Sequence, residues 1–209
     1  MSYIKYPRTP HLPDSAGVTT DDRIITTLDT LKSERIVVTE KMDGENTTLY
    51  SDYCHARSLN TMLHPSQSWM KHYWASKRAS IPPDMRVCGE NLYATHSIKY
   101  TKLKSYFLVF GIWQNGVCLS WPETLDRLAF MGMYPVPTLY TGLWTEDWEY
   151  LRQDINKPRT CCEGYVTRVE RSFEAHEFPV CIAKYVRANH VQTTEHWRNR
   201  WSGEINAVA

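Results

Sequence analysis

Ile36-Val37-Val38-Thr39-Glu40-Lys41-Met42-Asp43-Gly44-Glu45-Asn46-Thr47-Thr48-Leu49-Tyr50 decides how this chain folds and what it can do. The apolar, β-branched run Ile36-Val37-Val38 reads as a buried strand, and Thr47 to Tyr50 reads as a second. Between them lies Lys41-Met42-Asp43-Gly44, which puts a lysine at the end of a strand. Two readings are open from these residues alone. Asp-Gly between strands is a common hairpin signal, and a lysine in this position is also a candidate for covalent catalysis.

The bulk properties narrow the choice of class. The chain has 209 residues, enough to bury a substantial core, and reads as a single domain over residues 1–209 with an N-terminal lead-in and a short C-terminal tail. Its net charge of +1 announces no global positive field, so a nucleic-acid surface has to be a local patch. The six cysteines show no Cys-x-x-Cys spacing, and the adjacent Cys161 and Cys162 cannot easily share one zinc ion. Buried thiols in a reducing compartment are the expectation. The N-terminus lacks an apolar signal core and no stretch is long enough to span a bilayer, so a soluble, cytoplasmic protein without membrane contact is expected.

Along the chain, Pro7, Pro10 and Pro13 mark the lead-in, followed by a short amphipathic helix through Ile24, Ile25 and Leu28. Strands are predicted over residues 35–39 and 47–51, with Ala56-Arg57-Ser58-Leu59 after them. The Trp-rich stretch 66–79 suits a helix that Pro82-Pro83 ends. Residues 86–94 and 106–113 read as strands, the second buried throughout, and Gly116 turns the chain into Val117-Cys118-Leu119. Ser120-x-x-Glu123 has the capping-box pattern and opens a helix through Leu125, Leu128 and Phe130 that Gly132 closes. Another helix is expected from Thr145 to about Asn156-Lys157-Pro158, then strands over 163–170 and 179–186. Strands outnumber helices, which gives an α+β class with antiparallel sheets flanked by helices.

Four further runs follow the lysine motif in order: Gly89-Glu90-Asn91-Leu92-Tyr93-Ala94, Phe107-Leu108-Val109-Phe110-Gly111, Glu163-Gly164-Tyr165-Val166 and Ile182-Ala183-Lys184-Tyr185-Val186-Arg187. Together with Lys41-x-Asp43-Gly44 they resemble the successive motifs of the ATP-dependent RNA ligases of the covalent nucleotidyltransferase superfamily, most closely the T4 RNA ligase 2 and editing-ligase branch. The resemblance runs from Glu40 to Arg187. It implies a nucleotidyltransferase core of the ATP-grasp-like ligase kind, without an OB-fold, and ATP and Mg2+ (or Mn2+) as cofactors. The implied substrate is RNA with 5′-phosphate and 3′-hydroxyl ends, joined through a lysyl-AMP and an RNA-adenylate.

By this resemblance Lys41 is the nucleophile, Lys184 touches the α-phosphate as pyrophosphate leaves, and Glu163 serves catalysis and the metal. Glu90 holds the ribose, Arg57 contacts ribose and the RNA 5′ side, and Phe110 stacks on adenine. Asn46 positions metal-bound water, and main-chain groups around Glu40 read the adenine edge. The residues themselves leave other roles open: a structural ion pair for Glu90 or Glu163, a surface arginine for Arg57, a turn residue for Asn46, simple core for Phe110. A lysine with a pKa of about 10.4 is neutral only about once in 2,500 at pH 7, a deficit of roughly 4.6 kcal/mol. Lys41 therefore needs cationic neighbours, and Mg2+ with Lys184 would supply them.

Two departures from the family pattern stand out. Where the T4-type ligases carry two lysines separated by one residue, this chain has Lys184-Tyr185-Val186-Arg187, which assigns the second cation to Arg187 or to no residue. Little sequence follows Arg187, so the expectation is a chain without the usual C-terminal domain, with a protein partner or an oligomer in its place. The tail, with His196, Trp197, Arg198, Arg200 and Trp201, suits either RNA contact or an amphipathic helix laid on the core. Within the superfamily the rivals are a DNA ligase and an mRNA guanylyltransferase; outside catalysis, the rival is an ATP-binding sensor of RNA ends.

Overall fold

A computed structural model describes residues 3–58, 64–155, 162–188 and 201–209 of the chain. The elements, in order, are α1 (Asp29–Ser33), β1 (Arg35–Lys41), β2 (Glu45–Leu49), β3 (Cys54–Ala56), α2 (Ser68–Lys77), β4 (Met85–Asn91), β5 (Phe107–Gln114), β6 (Val117–Cys118), α3 (Trp121–Met131), β7 (Tyr134–Pro135), β8 (Thr138–Leu143), α4 (Glu146–Ile155), β9 (Gly164–Val169), β10 (Phe173–Glu174), α5 (Phe178–Cys181) and β11 (Ile182–Val186). Among the described residues they form two sheets. One is fully antiparallel with strand order β11-β9-β1-β8; the other runs β10-β6-β5-β4-β2-β3, with β7 parallel to β5. Neither sheet closes into a barrel.

The topology answers the question posed by Asp43-Gly44. β1 and β2 lie in different sheets, so the turn between them is a crossing from one sheet to the other and not a hairpin. Gly44 is required by the closeness of that crossing: a Cβ there would stand 2.5 Å from the Asn91 carbonyl oxygen and 2.8 Å from a Leu92 methyl.

β1 and β5 are inner strands, which explains their unbroken apolar runs. Ile36, Val37 and Val38 are fully buried, as are Phe107, Val109 and Ile112. Leu128 and Met131 of α3 and Met70 of α2 pack on one face of the second sheet. On β9 the residues alternate. Tyr165 turns to Trp148 of α4, ring centroids 5.1 Å apart, and stacks on Tyr185, which leaves Val166 on the opposite face.

α3 forms as its sequence predicts. The Ser120 hydroxyl accepts from the Glu123 N–H, the Glu123 carboxylate accepts from the Ser120 N–H, and Gly132 ends the helix at φ 61°. Four expectations need correction. No helix runs through Ile24, Ile25 and Leu28; Ile24 bridges to His11 in strand fashion, Ile25 is core, and the helix forms one turn later as α1. The run 179–186 begins as the short helix α5, Pro179 sitting in its first turn, before β11 starts at Ile182. Helix 66–79 is split into α2 with a 3-10 turn at each end. The strands β7, β8 and β10 were not expected at all. Most of the tail, Trp197 included, lies outside the described residues, as does Cys161; the other five cysteines are free thiols.

Candidate active site

The two sheets meet over a cavity of about 390 Å³ lined by residues from both and from the lead-in. From the first sheet, cross-strand registers place Thr39 opposite Val166 and Val166 opposite Lys184. These three residues make a row on one face, and all three line the cavity. Two residues along from Thr39, the same alternation puts Lys41 at the end of β1, opposite Gly164. A Cβ at Gly164 would lie 2.0 Å from the Tyr185 carbonyl oxygen, so only glycine lets β9 start this close to β11. Glu163, one residue earlier and 8 % exposed, is thereby delivered to Lys41, and the two side chains form an ion pair.

From the second sheet come Asn46 and Glu90, directly opposite each other on β2 and β4. Asn46 lines the cavity, and its Oδ1 atom is buried with no hydrogen-bond partner. Phe110 comes from a bulge. Cys88 pairs with Gly111 and Gly89 with Val109, so Phe110 is the extra residue of β5, and a bulge re-aims a side chain. The ring reaches the cavity wall and meets Tyr6 edge-on at 5.0 Å. Arg57 stands exposed at the rim just after β3, its N–H donating to the Asn46 carbonyl. Glu40 also lines the cavity, and its backbone N–H donates to Pro137. Arg187 is not among the lining residues; its backbone N–H donates to the Glu163 carbonyl at 3.1 Å.

The electrostatics differ from the expected cationic surround. Burial works against the Lys41 ammonium, but Glu163, Glu90 and Asp43 together outweigh it, and the Lys41 pKa lies above its ordinary value. The lysine is therefore stored as a paired cation. Lys184 is the opposite case: burial, reinforced by Lys41, lowers its pKa despite Asp22, whose carboxylate is 3.6 Å away. Glu90 is pushed up to about 8, by burial first and then by Glu163 and Asp43, against the pull of Lys41 and a Gly44 N–H. Burial also raises Glu40.

Sequence reasoning missed the contribution of the lead-in. Residues 10–17 run beside β11: Lys184 N–H donates to Pro10, Leu12 N–H to Lys184 and Gly17 N–H to Val186. This brings Arg8, Asp22 and Arg23 to the cavity. Asp22 accepts from the Thr19 N–H and hydroxyl, and its other oxygen lies 3.3 Å from His11 Nε2. Partial burial and the neighbouring Arg8 lower the Arg57 pKa. No periodicity or motif in the lead-in signals these roles. Arg168 also lines the cavity, but its guanidinium is committed to the Leu119 and Val169 carbonyls and the Phe173 ring.

Among the described residues no three His, Cys, Asp or Glu side chains converge as a metal-ligand set. The unpartnered Asn46 oxygen in a cavity beside Glu163 nonetheless fits Mg2+ or Mn2+, which keep much of their water and need few protein oxygens.

A lysine ending an inner strand, with carboxylates from both sheets around it and an aromatic side chain in the wall, gives this fold the form of a ligase nucleotidyltransferase domain. The model of the RNA ligase family matches residues 34–186, and the chain belongs to that family. Its fold is similar to that of an archaeal ATP-dependent RNA ligase, with TM-score 0.59 and 18% identity over 88% of this chain and 48% of that one. An RNA ligase from Naegleria gruberi, a glutamate-to-alanine mutant with ATP and Mn, matches with TM-score 0.53 and 16% identity over 78% of this chain and 52% of that one. A protein from Aquifex aeolicus described as an ATP-dependent DNA ligase matches with TM-score 0.55 and 17% identity, covering 88% of this chain and 50% of that one. The chain thus spans about half the length of these structures. No curated protein matches it. No helix among the described residues is long and apolar enough to cross a membrane.

Proposed function

We propose that this chain carries the nucleotidyl-transfer chemistry of an ATP-dependent RNA ligase, with Lys41 as the residue that accepts AMP. The observation that carries this reading is the position of Lys41, paired with Glu163 in a cavity that also holds Glu90, Asn46 and Lys184. Phe110 and Val166 on its walls suit an adenine ring, and the backbone around Glu40 suits recognition of the adenine edge. At neutral pH Glu90 is largely protonated, so it offers both a donor and an acceptor to ribose hydroxyls.

In the first step Lys41 Nζ gives up its proton, with the Glu163 carboxylate as the adjacent acceptor, and attacks the α-phosphorus of ATP. A P–N bond forms and pyrophosphate leaves with the electrons of the broken P–O bond. Lys184 lies across the same face and offsets charge on the α-phosphate. Asn46 and Glu163 would hold a hydrated Mg2+ or Mn2+, which supplies positive charge beside the phosphates when bound. The AMP then passes to an RNA 5′-phosphate, and a 3′-hydroxyl attacks that phosphate to join the ends and release AMP. Arg57, with Arg8 and Arg23 at the same rim, contacts the RNA phosphates, and Arg187 supports the site through Glu163.

Incubation with Mg2+ and α-labelled ATP should give an acid-labile, alkali-stable, hydroxylamine-labile protein adduct, as a P–N bond requires, that is absent from Lys41→Ala. Sealing of 5′-phosphorylated RNA but not DNA should follow. No adduct from ATP or GTP would leave an end sensor as the better reading; label from GTP alone would favour capping, and sealing of DNA alone a DNA ligase.

A further inference from the structure

We infer that residues 204–209 are a positioning element of the nucleotidyl-transfer site: Asn206 fixes the connection between β4 and β5, and Tyr100 on that connection fixes Asp43, two residues from Lys41. The inference rests on the reading of Lys41 as the residue that takes AMP.

Residues 92–106 form no helix or strand, so the hydrogen bonds of their backbone have to be found elsewhere. Residues 204–209 supply many of them. Thr95 N–H donates to Glu204, Leu103 N–H to Ala207, Ala207 N–H to Tyr100 and Ala209 N–H to Leu103, all at 2.9–3.0 Å. Asn206 is the centre of the contact and is 2% exposed. Its amide nitrogen donates to the Leu92 carbonyl at 2.7 Å and the Ala94 carbonyl at 3.3 Å. Its amide oxygen accepts from Tyr100 N–H at 2.8 Å and the Thr95 hydroxyl at 3.2 Å. Its own backbone donates to Tyr93 and accepts from the Tyr106 hydroxyl. Both donors and both acceptor positions of the amide are used, and a buried asparagine in this state admits no other side chain without loss.

The connection that Asn206 holds is the one that holds Asp43. Ser97 and Ile98 N–H groups donate to one Asp43 carboxylate oxygen at 2.7 and 2.8 Å, and the Asp43 N–H donates to the Tyr100 hydroxyl at 2.9 Å. Asp43 is thus gripped through both side chain and main chain by residues whose own places depend on Asn206. Because Asp43 follows Lys41 by two residues in the crossing between the sheets, a shift of residues 97–100 moves the backbone that aims the nucleophile. A small misplacement of a reacting group costs rate out of proportion to its size.

The test uses the full-length protein. Tyr100→Phe keeps the ring and removes only the hydroxyl that meets Asp43; Asn206→Ala removes the clasp. Each is expected to slow single-turnover formation of the lysyl adduct at saturating ATP about tenfold, with the ATP concentration for half-maximal rate within about twofold of wild type. His176→Ala, which breaks the exposed His176–Glu174 pair outside both segments, leaves the rate unchanged. Hydrogen exchange at the Ser97, Ile98 and Asp43 amides reads the same linkage without chemistry, and Asn206→Ala should lose protection at all three. Unchanged adduct rate in Tyr100→Phe, or unchanged exchange in a folded Asn206→Ala, would overturn the inference. If Asn206→Ala does not fold, Tyr100→Phe decides it alone. Lost protection together with no adduct from the wild-type protein would instead discard Lys41 as the acceptor and leave the clasp standing.

Discussion

Burial sets the Glu90 proton more than any neighbour does, and this makes the residue a handle on the site in the absence of substrate. Its folded-state pKa of about 8 lies well above the roughly 4.3 of an unfolded glutamate. Between those values the native protein keeps a proton that the unfolded chain has lost, so this carboxyl's contribution to stability is complete below pH 4 and falls away as pH rises towards 8. Glu90→Gln removes the proton uptake while preserving shape. Relative to wild type it should gain stability as pH increases from 5 to 8, by about 3.5 kcal/mol at about 1.4 kcal/mol per pKa unit, with Lys41 still paired to Glu163. Urea unfolding at both pH values measures this, and a parallel pH dependence in the two proteins would contradict the desolvated, partly buried placement of Glu90. The placement of Lys41, Glu90 and Glu163 was legible because each lies at or next to the end of a strand-like run. Their charge states were not, since the carboxylates that hold Lys41 as an ammonium converge only in three dimensions.

At the scale of elements, legibility followed the strength of local signals. α3 carries its start, its stop and its apolar spacing within a dozen or so residues, and the structure reproduces each. Ser120→Ala should therefore lower stability by about 1 kcal/mol, a fall of roughly 2–4 °C in melting temperature for a chain of this size. Adduct formation at 25 °C should be unaffected, because no residue of α3 lines the cavity; a loss of adduct would mean that the helix supports the site directly. β8 shows the opposite case. As the edge strand Thr138–Leu143 it has residues only partly buried or exposed on both faces, so the alternation that marks a half-buried strand is missing. The bulge that turns Phe110 towards the cavity was hidden for a related reason. An extra residue is defined by its partner strand, and β4 is distant enough in sequence that neither strand alone reveals it.

Across the whole molecule, the site exists because the chain changes sheets at Lys41. Sequence neighbours usually pair, so a lysine motif between two strands suggested a hairpin as readily as a crossing, and only the pairing of β1 with β8 and β9 resolves it. The same assembly explains how a chain of net charge +1 could hold a polyanion. Arg8, Arg23 and Arg57 gather at the rim of one cavity, brought together by the lead-in and the end of β3. With about three phosphate contacts from these arginines, single-stranded RNA binding should weaken gently with salt. A plot of the logarithm of the association constant against that of salt concentration should have a slope near −2, at about −0.7 per contact. Arg23→Ala or Arg57→Ala should flatten it by about one contact's worth. Fluorescence anisotropy between 50 and 300 mM KCl measures both slopes. A wild-type slope of about −5 or steeper would mean that RNA runs far beyond this rim, over surface that the cavity arginines do not supply.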